Sequence, residues 1–324
     1  MSALTFLALR RLADGRFHSG EEVARSLGRS RATLSEALKL APQMGLELYS
    51  VRGRGYRLAQ PIEFLDAGAI SRELEGTRIQ LQVVDEVDST STRLLERAAA
   101  GAPSGTCLAA EWQSAGRGRR GRTWISALGG SITFSLLWRF ERGAGHLGGL
   151  SLAVGAVVAS SLAACGAERV QVKWPNDVLV DFRKLAGVLV ETSGEAAQGP
   201  SVAVIGIGIN HRLGEAALDR IDQPVVDLAH CTREPPARSR LLARVLRDLD
   251  AALDRFAREG FAPFRDTWRS LHAFQDRNVR VSPPGEAPFE ARVHDIAPDG
   301  ALLVSLADGR RLTLSSAELS LRPR

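Results

Sequence analysis

Pairs and clusters of metal- or sulfur-chemistry residues are missing from this sequence. It has three cysteines, Cys107, Cys165 and Cys231, far apart and with no CxxC spacing, which supports neither a disulfide framework nor a zinc ribbon. Its six histidines show no HxxxH spacing, so a built-in transition-metal site is not expected. There is no internal repeat and no long low-complexity segment. Residues 1–12 carry arginines at positions 10 and 11 with no long apolar run behind them, which is not a secretory signal. One uncharged stretch, 147–167, is long enough to cross a membrane. It is built largely of Gly, Ala and Ser and reads as a buried core helix, so no membrane partner is expected and the chain should be cytoplasmic.

What remains is a soluble globular composition, 44% hydrophobic and 24% charged, over 324 residues, a length that implies two or three domains. The net charge of +5 and pI near 9.6 are compatible with phosphate-bearing partners without naming one, so the placement of the arginines matters more. Leu4, Leu7 and Leu12 make an apolar face before the turn Asp14-Gly15. Ser19 with Glu22 predicts a capped helix ending at Gly28, and Ser30 caps a second over about 31–40. Strands at 46–51 and 56–58 flank Arg52-Gly53-Arg54-Gly55. Helix, turn, helix and a basic two-stranded wing resemble a winged helix-turn-helix module. Its DNA-facing candidates are Ser30, Arg31, Thr33, Ser35 and Lys39 on the second helix, with Arg52 and Arg54 on the wing.

After the joint Gln60-Pro61, a helix is predicted over 64–74. Strands follow at 79–84, 106–110, 132–138, 170–173, 178–180, 186–190 and 202–207, with helices near 91–101, 147–165 and 237–258. Strands in runs predict a mainly antiparallel sheet with helices on one side. The last fifty residues hold short strands at 279–281, 290–296, 301–305 and 311–314, separated by Asp299-Gly300 and Asp308-Gly309, and predict a small β-barrel. The fold class is α+β in three domains, 1–62, 63–274 and 275–324.

Gly116-Arg117-Gly118-Arg119-Arg120-Gly121-Arg122 satisfies GxGxxG by letter. A dinucleotide fingerprint opens a helix, whereas these glycines lead through Thr123-Trp124 and Gly129-Gly130 to a strand. The stretch reads as an anion-gripping loop, with glycines admitting close backbone approach and arginines supplying forked donors. A solvated basic turn is the plainer alternative. Four like charges repel, so the loop should be mobile when empty and ordered on a ligand. Downstream stand Lys173-Trp174-Pro175-Asn176-Asp177, then Lys184-Leu185-Ala186-Gly187, then Gly206-Ile207-Gly208-Ile209-Asn210. Upstream, Asp88-Ser89-Thr90-Ser91-Thr92 is a hydroxyl cluster at a strand-to-helix boundary.

With GRGRRGRxW, KWPND, KxxGxLVE and GIGIN in this order, the chain resembles the biotin–protein ligase family. The match extends to both ends: His18-Ser19-Gly20-Glu21 and Gly53-Arg54-Gly55-Tyr56 look like the DNA-binding domain of the bifunctional ligase–repressors, and Glu318-Leu319-Ser320-Leu321-Arg322 like their C-terminal barrel. The resemblance implies a class II synthetase-like central domain and a Src-homology-3-like barrel. It implies formation of biotinyl-5′-adenylate from biotin and Mg-ATP, then transfer of biotin to one lysine of a biotin carboxyl carrier domain. Biotin-adenylate-dependent repression at operator DNA by a ligand-promoted homodimer is also implied.

Carried onto matching positions, the family's biotin site comprises Ser89, Thr90, Ser91, Gln113, Arg117, Gly118, Arg119 and Lys184. Lys184, Arg119 and Lys173 are the implied catalytic cations. Arg120, Arg122, Trp124, Lys173, Asn176 and Asn210 belong to the nucleotide side, with Asp177 toward Mg²⁺. Helix capping at Ser89–Ser91, a structural turn at Asn176-Asp177, close packing at Gly206 and Gly208, and a core role for Trp124 are the alternatives. Two features depart from the family. Ala41-Pro42-Gln43 stands where an unbroken helix is usual, so the proline shortens or kinks that segment unless it lies in the turn. The adenine-covering segment, about 211–232, offers no alignable residue. Rival readings are a ligand-sensing repressor without catalysis, a lipoate ligase, and a ligase with a vestigial DNA-binding domain.

Overall fold

Serine caps open the second and third helices, as their spacing predicts. The structure, a computed structural model, describes residues 3–194, 199–282, 287–315 and 320–323. Helix α1 (Ala3–Arg11) buries Phe6, Ala8 and Leu9. Ser19 accepts from the Glu22 N–H at the start of α2 (Gly20–Ser26), and Ser30 from the Thr33 N–H at the start of α3 (Arg31–Leu38). Pro42 lies in a 3-10 turn, Ala41–Met44, closed by Gly45 in the left-handed region at φ 75°. The proline therefore sits in the turn and leaves α3 intact, though α3 stops short of residue 40. Strands β1 (Leu48–Val51) and β2 (Gly55–Leu58) form the antiparallel wing.

This module shares its core with the chain beyond it. Phe6, Leu34, Leu38, Met44 and Leu58 pack in one cluster with Trp112 and Leu128. The turn after α3 makes the closest contacts: the Leu128 N–H donates to Met44 O at 2.9 Å and Arg220 to Gln43 O at 2.6 Å. Gly45 is required there, because a Cβ would press on Ala217 and Ala127 at 3.2 and 3.3 Å.

Helix α4 (Ala67–Glu73) leads to β3 (Gln80–Val87), α5 (Thr90–Ala99), β4 (Thr106–Gln113), β5 (Ser131–Phe140) and α6 (Leu150–Ala164). Strands β6 (Val170–Lys173), β7 (Asp177–Val180), β8 (Arg183–Ser193) and β9 (Ser201–Asn210) follow, then α7 (Glu215–Leu218), α8 (Arg238–Glu259) and α9 (Ala262–Leu271). The seven strands run β3-β4-β5-β9-β8-β7-β6, with β3 and β4 parallel and every other pair antiparallel. Strict alternation sorts the two faces. Ile132, Phe134, Leu136 and Trp138 of β5, with Ala203, Ile205, Ile207 and Ile209 of β9, join the main core with α6 and α8. The uncharged stretch is thus a core helix, buried on nearly every side.

Helices are not confined to one face, contrary to the expectation. α5 lies on the opposite one, where Leu94 packs on Leu108, Leu137 and Val204. A parallel pair needs a crossover, and that crossover must cover a face. Helix α9, unanticipated, starts after the break at Gly260 and adds Phe264 and Trp268 to the core.

The C-terminal strands β10 (Asn278–Ser282), β11 (Phe289–Ile296), β12 (Leu302–Ser305), β13 (Arg311–Leu314) and β14 (Ser320–Pro323) form one antiparallel sheet, order β13-β12-β11-β10-β14. Glu318 and Leu319 of the closing motif lie outside the described residues. This sheet touches the KWPND motif directly: the fully buried Trp174 donates its indole N–H to Gly300 O at 3.0 Å.

Behind the sheet lies an ion pair with no solvent exposure on either side chain, Arg238 with Glu111 at 2.8 Å. Arg238 also donates to Ser131 O at 2.7 Å and to Glu63 O, while Glu111 accepts from the Leu65 N–H. Removing one partner leaves the other charge buried alone. Arg238→Ala is therefore expected to cost about 3–5 kcal/mol of stability, and the double replacement Glu111→Leu with Arg238→Met to recover most of it. Denaturant midpoints at matched m-values test this; a single variant within about 1 kcal/mol of the parent would remove the pair from the stability account.

Candidate active site

Strand register builds the floor of the site. Ala110, Thr133, Gly208, Gly187 and Asp177 are successive cross-strand partners from β4 to β7, and Ser135 pairs with Gly206 one step along. This is the sheet face that α5 leaves partly uncovered. Where the other face carries Ile and Phe, this one carries Gly, Thr and Ser, so a cavity of about 690 Å³ stands above it.

The glycines are a spatial requirement. A Cβ on Gly208 would lie 2.3 Å from the Trp124 ring, one on Gly206 2.5 Å from Ser91 Oγ, and one on Gly187 2.9 Å from the Lys184 side chain. None of the three has a positive φ, so it is close packing that demands Gly208 and Gly206, while the Lys184 chain end over Gly187 can shift. Trp124 lies over Gly208, half-buried, and its indole N–H meets no acceptor among the described residues.

At one end of the floor sits the hydroxyl cluster. Ser89 is the N-cap of α5, accepting from the Thr92 N–H. Gln113 Oε1 accepts from the Thr90 N–H at 2.8 Å and from Thr90 Oγ1 at 3.1 Å. Ser135 Oγ, absent from the sequence-based candidates, lies 2.8 Å from Thr90 Oγ1 and 3.0 Å from Ser91 Oγ. Its signal was present in the alternation Ile132, Thr133, Phe134, Ser135, Leu136, two polar positions in step within an apolar strand.

Residues 116–124 form a hairpin over the cavity. Its stem is closed by Trp124 N–H to Gly116 O at 2.9 Å and Gly118 N–H to Arg122 O at 2.7 Å. Its tip turns through Arg120 at φ 56° and Gly121 at φ 72°. Arg119 reaches Asn176 Oδ1 at 3.2 Å. Burial pushes its pKa below the ordinary arginine value, and Arg120 and Arg122 push the same way against the pull of Asp177. Arg117 points its fork at Glu191 instead, at 2.7 and 3.2 Å.

Lys184 pairs with Asp177 at 2.8 Å and sits 5.7 Å from the centre of the Trp124 ring. Lys173 ends β6 at the cavity wall. Asn176 donates to Val188 O at 2.8 Å, so it braces the KWPND turn and orients Arg119 at once. The buried Asn210 donates to Lys184 O and Val226 O, at 3.1 and 3.2 Å, which fixes the backbone of both. Segment 220–225, silent in the sequence, closes this end. The Lys184 N–H donates to Pro224 O and the Val226 N–H to Lys184 O, each at 3.0 Å, bringing Arg220, Asp222, Gln223 and Val225 to the cavity.

The DNA-facing candidates lie far along the chain, on the N-terminal module. The side chains of Ser30 and Thr33 hydrogen-bond to each other at 2.8 Å in the cap, and Lys39 pairs with Glu36 at 2.6 Å. Arg31 and Arg52 are exposed, Ser35 is half-buried, and Arg54 stacks on Phe17 at 4.1 Å.

Residues 83–210 match the model of the biotin/lipoate A/B protein ligase family, and residues 3–57 match a helix-turn-helix domain. The chain is 38% identical to the bifunctional ligase/repressor BirA of Salmonella typhimurium over 98% of its own length and 97% of that protein. It is 33% identical to the biotin–[acetyl-CoA-carboxylase] ligase of Mycobacterium tuberculosis over 74% of its length and 88% of that protein. Among solved structures, it superposes on the biotin protein ligase of Aquifex aeolicus in complex with biotin and ATP with a TM-score of 0.62. That match has 29% identity and covers 76% of this chain and 99% of the other.

Gly208→Ala should displace Trp124 and the hairpin that carries it. Overpacking of about 1–3 kcal/mol in this contact corresponds to roughly 5- to 150-fold in affinity for a ligand in the cavity. Titration calorimetry measures it, beside a thermal melt; unchanged affinity in a folded variant would show that Trp124 yields freely.

Proposed function

The chain belongs to the biotin–protein ligase family, and from that premise we propose how its cavity and N-terminal module act. It is an ATP-dependent biotin–[acetyl-CoA-carboxylase] ligase with a helix-turn-helix repressor domain. It works as three units, 1–62 for DNA, 63–274 for catalysis and 275–324 as the C-terminal β-domain. The observation that carries the reading is the order of groups along the floor: hydroxyls and an amide near Gly206, then Trp124 over Gly208 and Lys184 over Gly187 with Arg119 reaching Asn176, then segment 220–225. A ligand with a neutral hydrogen-bonding head, a carboxylate tail and an attached nucleotide matches that order.

Thr90, Ser91 and Gln113, with Ser89 capping beneath them, face the ureido ring, which offers both donors and an acceptor. Lys184 and Arg119 close on the carboxylate, with the backbone of Gly118 alongside. In the first step a carboxylate oxygen attacks the α-phosphorus of ATP and pyrophosphate leaves. Two anions must meet, so fixed cations around the developing charge are the main requirement, and Lys173 serves the α-phosphate. Arg120, Arg122, Trp124 and segment 220–225 hold the nucleotide, while Asn176 and Asn210 act through the groups they brace. In the second step the neutral amine of a carrier lysine attacks the acyl carbon, AMP leaves, and the amine proton passes to solvent.

No cluster of three or more His, Cys, Asp or Glu side chains stands ready to cage a metal among the described residues. Of the two carboxylates at the cavity, Asp177 and Asp222, Asp177 would hold Mg²⁺, a hard cation that needs few protein oxygens. Bound with the nucleotide there, Mg²⁺ would neutralise phosphate charge. The partners are a biotin carboxyl carrier domain and operator DNA, the latter through Arg31, Arg52 and Arg54 of a ligand-promoted homodimer, all in the cytoplasm.

Incubated with biotin and Mg-ATP, the protein should add the mass of one biotin to one lysine of a carrier domain. Lys184→Ala should lose about 3 kcal/mol of transition-state stabilisation, roughly 100-fold in biotin-dependent pyrophosphate exchange. Exchange at the parental rate would take Lys184 out of the mechanism. For DNA, one module with few base-reading side chains binds weakly, and pairing two in a dimer raises affinity about 100-fold or more. Fluorescence anisotropy on operator DNA at fixed salt, with and without biotin plus Mg-ATP, should show that gain alongside dimer formation in sedimentation. A dimer with unchanged DNA affinity would mark the module as vestigial.

A further inference from the structure

Two side-chain ties of the arginine hairpin run in opposite directions, one into the cavity and one away from it. Arg119 at the tip reaches Asn176 across the floor. Arg117 in the stem turns the other way, placing both terminal nitrogens on the two oxygens of Glu191, with one of them also 3.4 Å from Thr92 Oγ1. Glu191 stands on β8 four residues beyond Gly187 of the floor, and Thr92 is in the first turn of α5, next to the hydroxyl cluster. The hairpin therefore spans the cavity like a strap, from the α5–β8 side to the turn after β6.

We propose that Glu191 is a positioning residue that anchors the strap through Arg117, and that Arg117 holds the hairpin stem in place of contacting the biotin carboxylate. Three observations support this. A forked guanidinium on both oxygens of one carboxylate fixes direction as well as distance, which a single contact does not. Arg117 also pairs with Thr123 in the backbone ladder of the stem, so fixing its side chain fixes the stem. Third, four arginines in seven residues repel one another, and pairing Arg117 with a carboxylate removes part of that repulsion while Arg119, Arg120 and Arg122 line the cavity. The pair is partly exposed, 43% for Arg117 and 23% for Glu191, so its contribution is to geometry more than to stability.

The inference rests on the ligase reading. The test follows biotinyl adenylate made on the full-length protein from biotin and Mg-ATP without carrier, its retention timed by rapid gel filtration, with pyrophosphate exchange measured in parallel. Glu191→Ala is expected to shorten retention about tenfold and raise KM for biotin, with kcat of exchange within about threefold of the parent, as for a loosened lid. The charge swap Arg117→Glu with Glu191→Arg is expected to restore retention to within about threefold, since the pair survives reversed. Arg117→Glu alone should be as leaky as Glu191→Ala or worse. Parental retention in Glu191→Ala, or a swap no better than Arg117→Glu, would overturn the anchor and return Arg117 to the substrate. If the parent protein forms no adenylate, it is the ligase reading that fails.

Discussion

Glu111 and Arg238 meet out of all contact with water, and the positions of the other parts follow from that meeting. An isolated charge in such a place costs several kcal/mol, so the two side chains have little freedom in where they lie. Arg238 is the first residue of α8, Glu111 is near the end of β4, the second strand of the sheet, and the carbonyl of Ser131 starts β5. The linker is caught between them through Glu63 and Leu65, and the Glu63 carboxylate accepts from the Arg238 N–H at the positive end of the helix. One interaction thus sets how the sheet, its longest helix and the connection to the N-terminal module come together.

The N-terminal module then lies against the walls of the cavity. Its turn after α3 bonds to Leu128, just beyond the arginine hairpin, and to Arg220 in the segment closing the far end. Gly45 makes that approach close enough for direct backbone contact. The C-terminal sheet reaches the opposite wall through Trp174 and Gly300. Two walls of the cavity are therefore supported by different ends of the chain.

Much of this was legible in the sequence because it is local. Caps at Ser19 and Ser30, the wing around Arg54 and most strands depend on neighbours within a few residues. So did the motifs, which lie at strand ends and turns that register then brings together. What escaped was decided across space. Ser135 looks like one polar residue in a strand until register places it beside Thr90 and Ser91. Segment 220–225 has no periodicity, and a backbone bridge to Lys184 alone gives it a place. A buried glutamate and arginine 127 residues apart carry no local mark at all. α5 was expected on the same side as the other helices because the count of strands pointed to hairpins, whereas one parallel pair was enough to move it.

The cationic hairpin has a chemical consequence as well as an electrostatic one. An acyl phosphate reacts with any amine that reaches it, and its own enzyme is the protein it meets first. The hairpin over this cavity is armed with arginines and contains no lysine. Guanidinium groups stay protonated and have no lone pair to offer the acyl carbon. The whole chain has three lysines: Lys184 is occupied by Asp177, Lys173 is partly buried at the wall, and Lys39 is on α3, paired with Glu36. The hairpin is built, in effect, of a material that the cavity's contents cannot corrode, and the acceptor amine is brought in by another protein.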